Sequence, residues 1–340
     1  MNTLERFNAA IHFKPVDRVP TDLHNFMMCA AYSGLPFDEF VLDPRAMADA
    51  HIALQKEFGH DILLVENGTA SLAQAMGCQV KFRKNDVPVV PGGAISSLDE
   101  LEKLVVDRTI LDAPLLKANF KAVQLLKAYY GDDVIVMGRG DQGPFSLASE
   151  VLGMNELLMD LMDEDAEEDI SALLELCTEA SIMSCEAMLD AGAHATSIGD
   201  STAGPDVISP AMYRKFAFPY EKKVVEAIQK DGGIIALHIC GNATMIVDQM
   251  LDTGADILEI DQKTELQDLM PKFRNRSAIL GQISPETLAH GTVENVAEET
   301  EIMLDKVGGP HATGIILGPG CAMGGNTPYE NVHKMLSYAK

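Results

Sequence analysis

Gly232-Gly-Ile-Ile-Ala-Leu-His-Ile-Cys-Gly241 decides how the rest of the chain is read. The run is apolar, rich in isoleucine and bounded by glycines, the pattern of a buried parallel strand. Side chains alternate faces along a strand, so His238 and Cys240 leave its C-terminal end on the same side. About eighty residues later Gly314-Ile-Ile-Leu-Gly-Pro-Gly-Cys321 repeats the arrangement, an apolar run ending in another cysteine. One imidazole and two thiolates form a Cys2His set. With a fourth tetrahedral position open, that set belongs to catalytic rather than structural zinc. Free cysteine is also among the most buried residue types, so core packing is the competing reading of His-x-Cys.

The other apolar runs bear on that choice. Segments 19–22, 61–66, 134–138, 195–198, 233–239, 256–260, 277–281 and 314–317 read as strands. Helical periodicity fills 44–58, 114–130, 155–191, 209–230, 243–253, 265–273 and 293–307. Strands alternating with helices in this number predict a (β/α)8 TIM barrel, one domain over residues 1–340 with an N-terminal extension. A doubly wound sheet is the alternative, but no Gly-x-Gly-x-x-Gly follows the first strand. Residues 78–90, with Val80, Phe82, Val87 and Val89 alternating, read as an inserted hairpin over the barrel mouth. Thr327-Pro328-Tyr-Glu330 reads as a capping box opening the last helix.

The predicted strands end in His24, Glu66, Asn67, Asp141, Asp200, Ser201, His238, Cys240, Asp261, Gln282 and Cys321. A barrel of this kind builds its active site at that face. Such a convergence of functional groups favours catalysis over packing. Composition narrows the chemistry. With 26 basic against 51 acidic residues, net −25, the chain repels phosphate backbones and is not expected to bind nucleic acid. No apolar stretch is long enough to span a membrane, and the first 20 residues lack the apolar core of a secretory signal. Six scattered cysteines without a small-domain framework fit a reduced, cytoplasmic setting.

Zinc on His238, Cys240 and Cys321 would keep a substrate thiol as thiolate, or draw charge from a departing oxygen. Asp261 is placed to be a fourth ligand or a partner of His238, Glu259 shares its strand face, and a loop-bonding role is the plain alternative for Asp261. Gly320 and Gly324, within Gly318-Pro-Gly-Cys-Ala-Met-Gly-Gly-Asn326, let backbone approach a bulky cofactor or turn around Cys321. No lysine follows them, so a phosphate loop is disfavoured. Asp61 and Glu66 are candidates for a general-acid pair. Ser201 has no histidine at a hydrolase-like spacing and is assigned to cofactor contact instead.

These residues together resemble the uroporphyrinogen decarboxylase superfamily over nearly the whole chain. Phe58-Gly-His-Asp-Ile-Leu63 looks like the family's FsDIL segment, and Asp200-Ser-Thr-Ala-Gly204 with Pro210 and Phe216-Ala-Phe-Pro-Tyr220 is similar to its DSxAG…SP…PY stretch. Ile260-Asp261 matches the family's strand-end aspartate. The departures select a branch. The decarboxylases carry arginines where this chain has Thr21-Asp-Leu-His-Asn-Phe-Met-Met28; Glu150 stands for their pocket tyrosine and Cys321 for their late histidine. His238-x-Cys240-Gly-Asn242 instead looks like the zinc-dependent methyltransferases that work with methyl-corrinoid proteins. The resemblance implies zinc on His238, Cys240 and Cys321, a methylcobalamin-type corrinoid on a small partner protein, and a small methyl donor or acceptor such as a methyl ether or a thiol like coenzyme M. Asp261, Glu150 and Asp61 are then the expected catalytic groups. Porphyrinogen decarboxylation is the alternative activity.

Overall fold

The computed structural model describes residues 1–339. Among them run β1 (Asp22–Leu23), β2 (Ile62–Val65), β3 (Lys81–Arg83), β4 (Asp86–Val89), β5 (Ile135–Gln142), β6 (Ala195–Gly199), β7 (Ile235–Ile239), β8 (Ile257–Ile260), β9 (Ala278–Ile283) and β10 (Ile315–Pro319). All but β3 and β4 form one eight-stranded parallel sheet in chain order. A parallel bridge between Thr21 and Leu317 joins the two ends, and the Leu317 N–H donates to the Pro20 carbonyl at 2.9 Å. The sheet closes into the predicted (β/α)8 barrel.

The strand period of two sorts the apolar side chains into two clusters. Leu63, Val65, Val136, Leu237, Leu258 and Ile279 belong to the large cluster shared with the surrounding helices. Their neighbours Ile62, Leu64, Ile135, Met137, Ala236, Ile257 and Ile316 form a separate cluster with Phe7 and Ile11. Phe7 and Ile11 come from the helix Thr3–Ile11, which Asn2 and Glu5 start with a reciprocal capping box. The N-terminal extension is thus a plug for the N-terminal end of the barrel. Continuing along the inward face, the next residues are Glu66, Arg139, His238 and Glu259, so a polar layer stands on an apolar floor.

The helices 44–58, 114–130 and 293–307 have the predicted bounds. Others are interrupted: 155–191 splits into Met154–Asp160 and Glu167–Asp190 around a 3-10 turn, and 209–230 splits at Ala217 just before Pro219. β5 runs four residues past its predicted end at 138, through two glycines. A Cβ on Gly138 would lie 2.8 Å from Met188 Sδ, and one on Gly140 would lie 2.4 Å from Cys185 Sγ. The glycines are there so that the helix Glu167–Asp190 can lie against the strand. The capping box predicted at Thr327 does not form: Thr327 Oγ1 donates to the Gly324 carbonyl at 2.8 Å, and Pro328 takes the cap position. The hairpin β3–β4 is present and lies over the loop after β2, where Pro88 and Val87 would sit 3.4 and 3.6 Å from a Cβ on Gly68. Among the described residues no helix is long and apolar enough to cross a membrane.

Candidate active site

His238 pairs in register with Gly199 on one side and Glu259 on the other, which puts the ends of β6, β7 and β8 at one level. His238 Nε2 lies 3.0 Å from Cys240 Sγ, and the two sulfurs, Cys240 and Cys321, are 3.7 Å apart. All three ligand atoms fall within 4.8 Å of one another. Zinc–sulfur bonds of about 2.3 Å predict a tetrahedral S···S edge of about 3.8 Å, so the thiol pair fits the metal. The nitrogen–sulfur contact is a hydrogen bond and would open by about half an ångström to admit it. His238 Nδ1 donates to the Glu259 carbonyl at 3.0 Å, which fixes the tautomer that frees Nε2 for a metal. Ser201 Oγ lies 3.1 Å from Cys240 Sγ and donates to it. Hydrogen bonds with Cys321, His238 and Ser201 hold the Cys240 thiol well below its ordinary value, and the bond to Cys240, then burial and the neighbouring charge, push Cys321 well up. Cys240 is thus primed as the first thiolate.

Beside the thiols stands a closed ring of four buried charged groups. His24 Nε2 lies 3.0 Å from Glu66 Oε2, and Nδ1 lies 2.8 Å from Glu259 Oε1. Arg139 Nε donates to Glu66 and Nη2 to Glu259, each at 3.0 Å. Burial lowers the His24 pKa, but Glu66 and Glu259 outweigh it and raise it to about 10. Burial likewise disfavours the Glu259 carboxylate, and His238, His24 and Arg139 reverse the effect, holding it well below the usual range. Two cations and two anions therefore cancel. A cavity of about 230 Å³ lies between the ring and the thiols, with Phe26, Met27 and Val87 on its apolar side. That is below the usual size for drug-like ligands and suits a small molecule.

The predicted site residues divide. His238, Cys240, Cys321 and Ser201 converge on this cavity. Asp261 is buried beside it, but its carboxylate accepts from Gly241 N and Lys263 N at 2.9 Å each, which is the loop-bonding role. The carboxylate that faces the imidazole is Glu259, with Oε2 3.7 Å from His238 Nδ1. Asp61 is corrected outright. It precedes β2, at the plugged end, where it pairs with Arg6 at 2.9 Å and Arg18 at 2.6 Å. Glu66 follows the same strand at the mouth, so the two cannot act as a pair, and the motif at 58–63 does not carry Asp61 into the pocket. Glu150 lines a second cavity of about 770 Å³ between segments 90–96 and 152–156, which shares Gln142 with the first. Burial and nearby Asp141 raise its pKa well above the ordinary value. At Gly320 a Cβ would stand 2.7 Å from Gln262 N, so the glycine lets the chain after β10 pack closely on the loop after β8. Gly324 instead accepts from Thr327 N and Oγ1.

Arg139 and the linking role of His24 were not anticipated. The available signal was the alternation Gly138-Arg-Gly-Asp-Gln142 directly after an apolar run, with glycine on one face and functional groups on the other.

The family described as Uroporphyrinogen decarboxylase (URO-D) matches residues 2–340, and the chain belongs to it. A methylcobamide:CoM methyltransferase, MtbA of Methanosarcina acetivorans, is 30% identical, covering 99% of this chain and 97% of the relative. A uroporphyrinogen decarboxylase of Geotalea daltonii is 26% identical, covering 99% of this chain and 97% of its own length. Among solved structures, a methyltransferase from Methanosarcina mazei superposes with a TM-score of 0.90 at 26% identity, covering 100% of this chain and 98% of that one.

Proposed function

We propose that this member of the uroporphyrinogen decarboxylase family is a methyltransferase that moves a methyl group between a corrinoid carried by a separate small protein and a small thiol or methyl ether. The observation that carries the reading is the convergence of two thiols and one imidazole at the mouth of a barrel that matches methylcobamide:CoM methyltransferases along its full length. His238, Cys240 and Cys321 would hold zinc, which when bound supplies thiolate activation or charge withdrawal from a departing oxygen. Ser201 steadies the Cys240 sulfur, and Glu259 steadies the imidazole through its carbonyl. The cavity walls bring the small substrate to one place and leave the mouth for the corrinoid, so positioning does most of the work. Reduced thiols in the centre are consistent with a cytoplasmic enzyme.

Decarboxylation of a porphyrinogen would need free cations for several carboxylates. Segment 21–28 carries none that is unpaired, since its His24 is held by Glu66 and Glu259, and Arg139 is engaged by the same two groups. The test is to load the purified protein with zinc, measure stoichiometry, and follow methylcobalamin by absorbance with added thiols. The expected result is one zinc per chain and conversion to cob(I)alamin. Uroporphyrinogen turnover without corrinoid chemistry would overturn the reading.

A further inference from the structure

Resting on that reading, we infer that the small substrate is uncharged, carrying a hydroxyl- or amide-like polar head rather than a sulfonate or carboxylate. With His238 committed as a neutral ligand to the metal, the cations at the cavity are Arg139 and His24, and each contacts both Glu66 and Glu259 at 2.8–3.0 Å. No positive charge is left over. An anionic head would have to displace one of these carboxylates, or be buried beside Asp141 and the thiols without a counter-ion, and a buried unpaired charge is strongly disfavoured. Three polar atoms of cavity-lining residues are nevertheless without hydrogen-bond partners among the described residues: Arg139 Nη1, Asp141 Oδ1 and His24 Nε2, the last at an ion-pair distance of 3.0 Å from Glu66 but not aligned for a hydrogen bond. The wall is thinned beside the first, because Gly199 has no side chain where a Cβ would stand 3.6 Å from Arg139 Nη1. A buried guanidinium N–H and a carboxyl oxygen left free ask for a ligand that both accepts and donates. A hydroxyl or a carboxamide does both without bringing charge, and Phe26, Met27 and Val87 receive the rest of a short apolar body.

With a thiol, the sulfur–carbon bond forms as the cobalt–carbon bond of the methyl-corrinoid breaks. The bonding pair stays on cobalt, which passes from Co(III) to Co(I), and the thiol proton goes to solvent. The discriminating probes are therefore thiols of equal shape and different charge. Methyl transfer from methylcobalamin to 3-mercaptopropionamide should exceed that to 3-mercaptopropionate and to 2-mercaptoethanesulfonate by about tenfold or more in kcat/KM. Calorimetric binding of the same thiols to the zinc-loaded protein should give the same order. Glu66→Gln leaves the ring with a net positive charge, so the amide-over-carboxylate preference should fall about tenfold or reverse. Equal or better use of the sulfonate by the wild type would overturn the substrate class while leaving methyl transfer intact. Absence of methyl transfer from methylcobalamin to every thiol, and from every neutral methyl ether to cob(I)alamin, with zinc bound, would overturn the methyltransferase reading and this inference with it.

Discussion

The two ends of the barrel each bury a cluster of ion pairs, and they differ in how completely the polar atoms are used. At the plugged end Asp61 Oδ1 accepts from Arg6 and Arg18, and Oδ2 accepts from Arg18, Thr21 N and Thr21 Oγ1. Neither oxygen of that carboxylate is left to bind a ligand. At the mouth His24 Nε2, Arg139 Nη1 and Asp141 Oδ1 lack hydrogen-bond partners, and deeper in the barrel so do both oxygens of fully buried Asp22. Desolvation raises Asp22 and Asp141 to about 7, so these carboxyls exchange protons near neutrality. A saturated cluster holds a fold together; an unsaturated one holds chemistry in reserve.

The sharpest way to break this comparison is to remove a thiol. Cys321→Ala or Cys240→Ser should abolish stoichiometric zinc and methyl transfer, while the melting temperature of the zinc-free proteins stays within a few degrees of wild type. A mutant that also unfolds would place the thiols with the structural end. The converse variant is Asp61→Asn, which leaves Arg18 without a carboxylate and Arg6 with Asp17 alone, and should cost about 3 kcal/mol in denaturant unfolding. Its zinc content and turnover per folded molecule should be unchanged; loss of metal there would mean that the two ends are coupled.

Finer effects separate neighbours. Glu259→Gln should weaken zinc by about 10- to 100-fold, since it loosens the ring behind His238. Asp261→Asn should change zinc affinity by less than about threefold, because its oxygens bond the loop backbone. Metal titration of both variants decides between them, and the opposite ranking would make Asp261 the ligand-side carboxylate. At the plugged end, His60 has no partner for either ring nitrogen, and burial, then His51, lowers its pKa to about 3. The folded state keeps it neutral while the unfolded chain takes up a proton near pH 6.5. Its contribution to stability is present above that pH and is lost as pH falls below it, by about 2 kcal/mol at pH 5. His60→Leu should flatten the fall in melting temperature between pH 6.5 and 5; an unchanged slope would show that His60 is not the titrating group.

The barrel and the thiols were legible because both rest on local periodicity: apolar runs of strand length, and ligand atoms two residues apart on one face. The charged ring was not legible, because Gly138 and Gly140 read as the end of a strand. Their meaning comes from Met188 and Cys185 on a helix about fifty residues away. Asp61 was paired with Glu66 as an acid candidate because both are carboxylates on one strand segment, although it stands at the start of that segment and the face rule alone would have excluded it. Asp261 has the right strand parity, yet two backbone N–H groups turn its carboxylate aside. Strand parity fixes a face but not the last torsion of a side chain.

The helix Thr3–Ile11 gives the barrel a sealed floor of Phe7, Ile11 and the inward strand residues. A vessel with a single opening imposes a queue. Whatever rests on the thiols is covered by whatever enters after it, so the small molecule loads first and leaves last, and the bulky corrinoid carrier comes and goes above it. Initial rates should follow an ordered sequential pattern, with the methylated small product competing against the small substrate and the demethylated carrier giving mixed inhibition against both substrates.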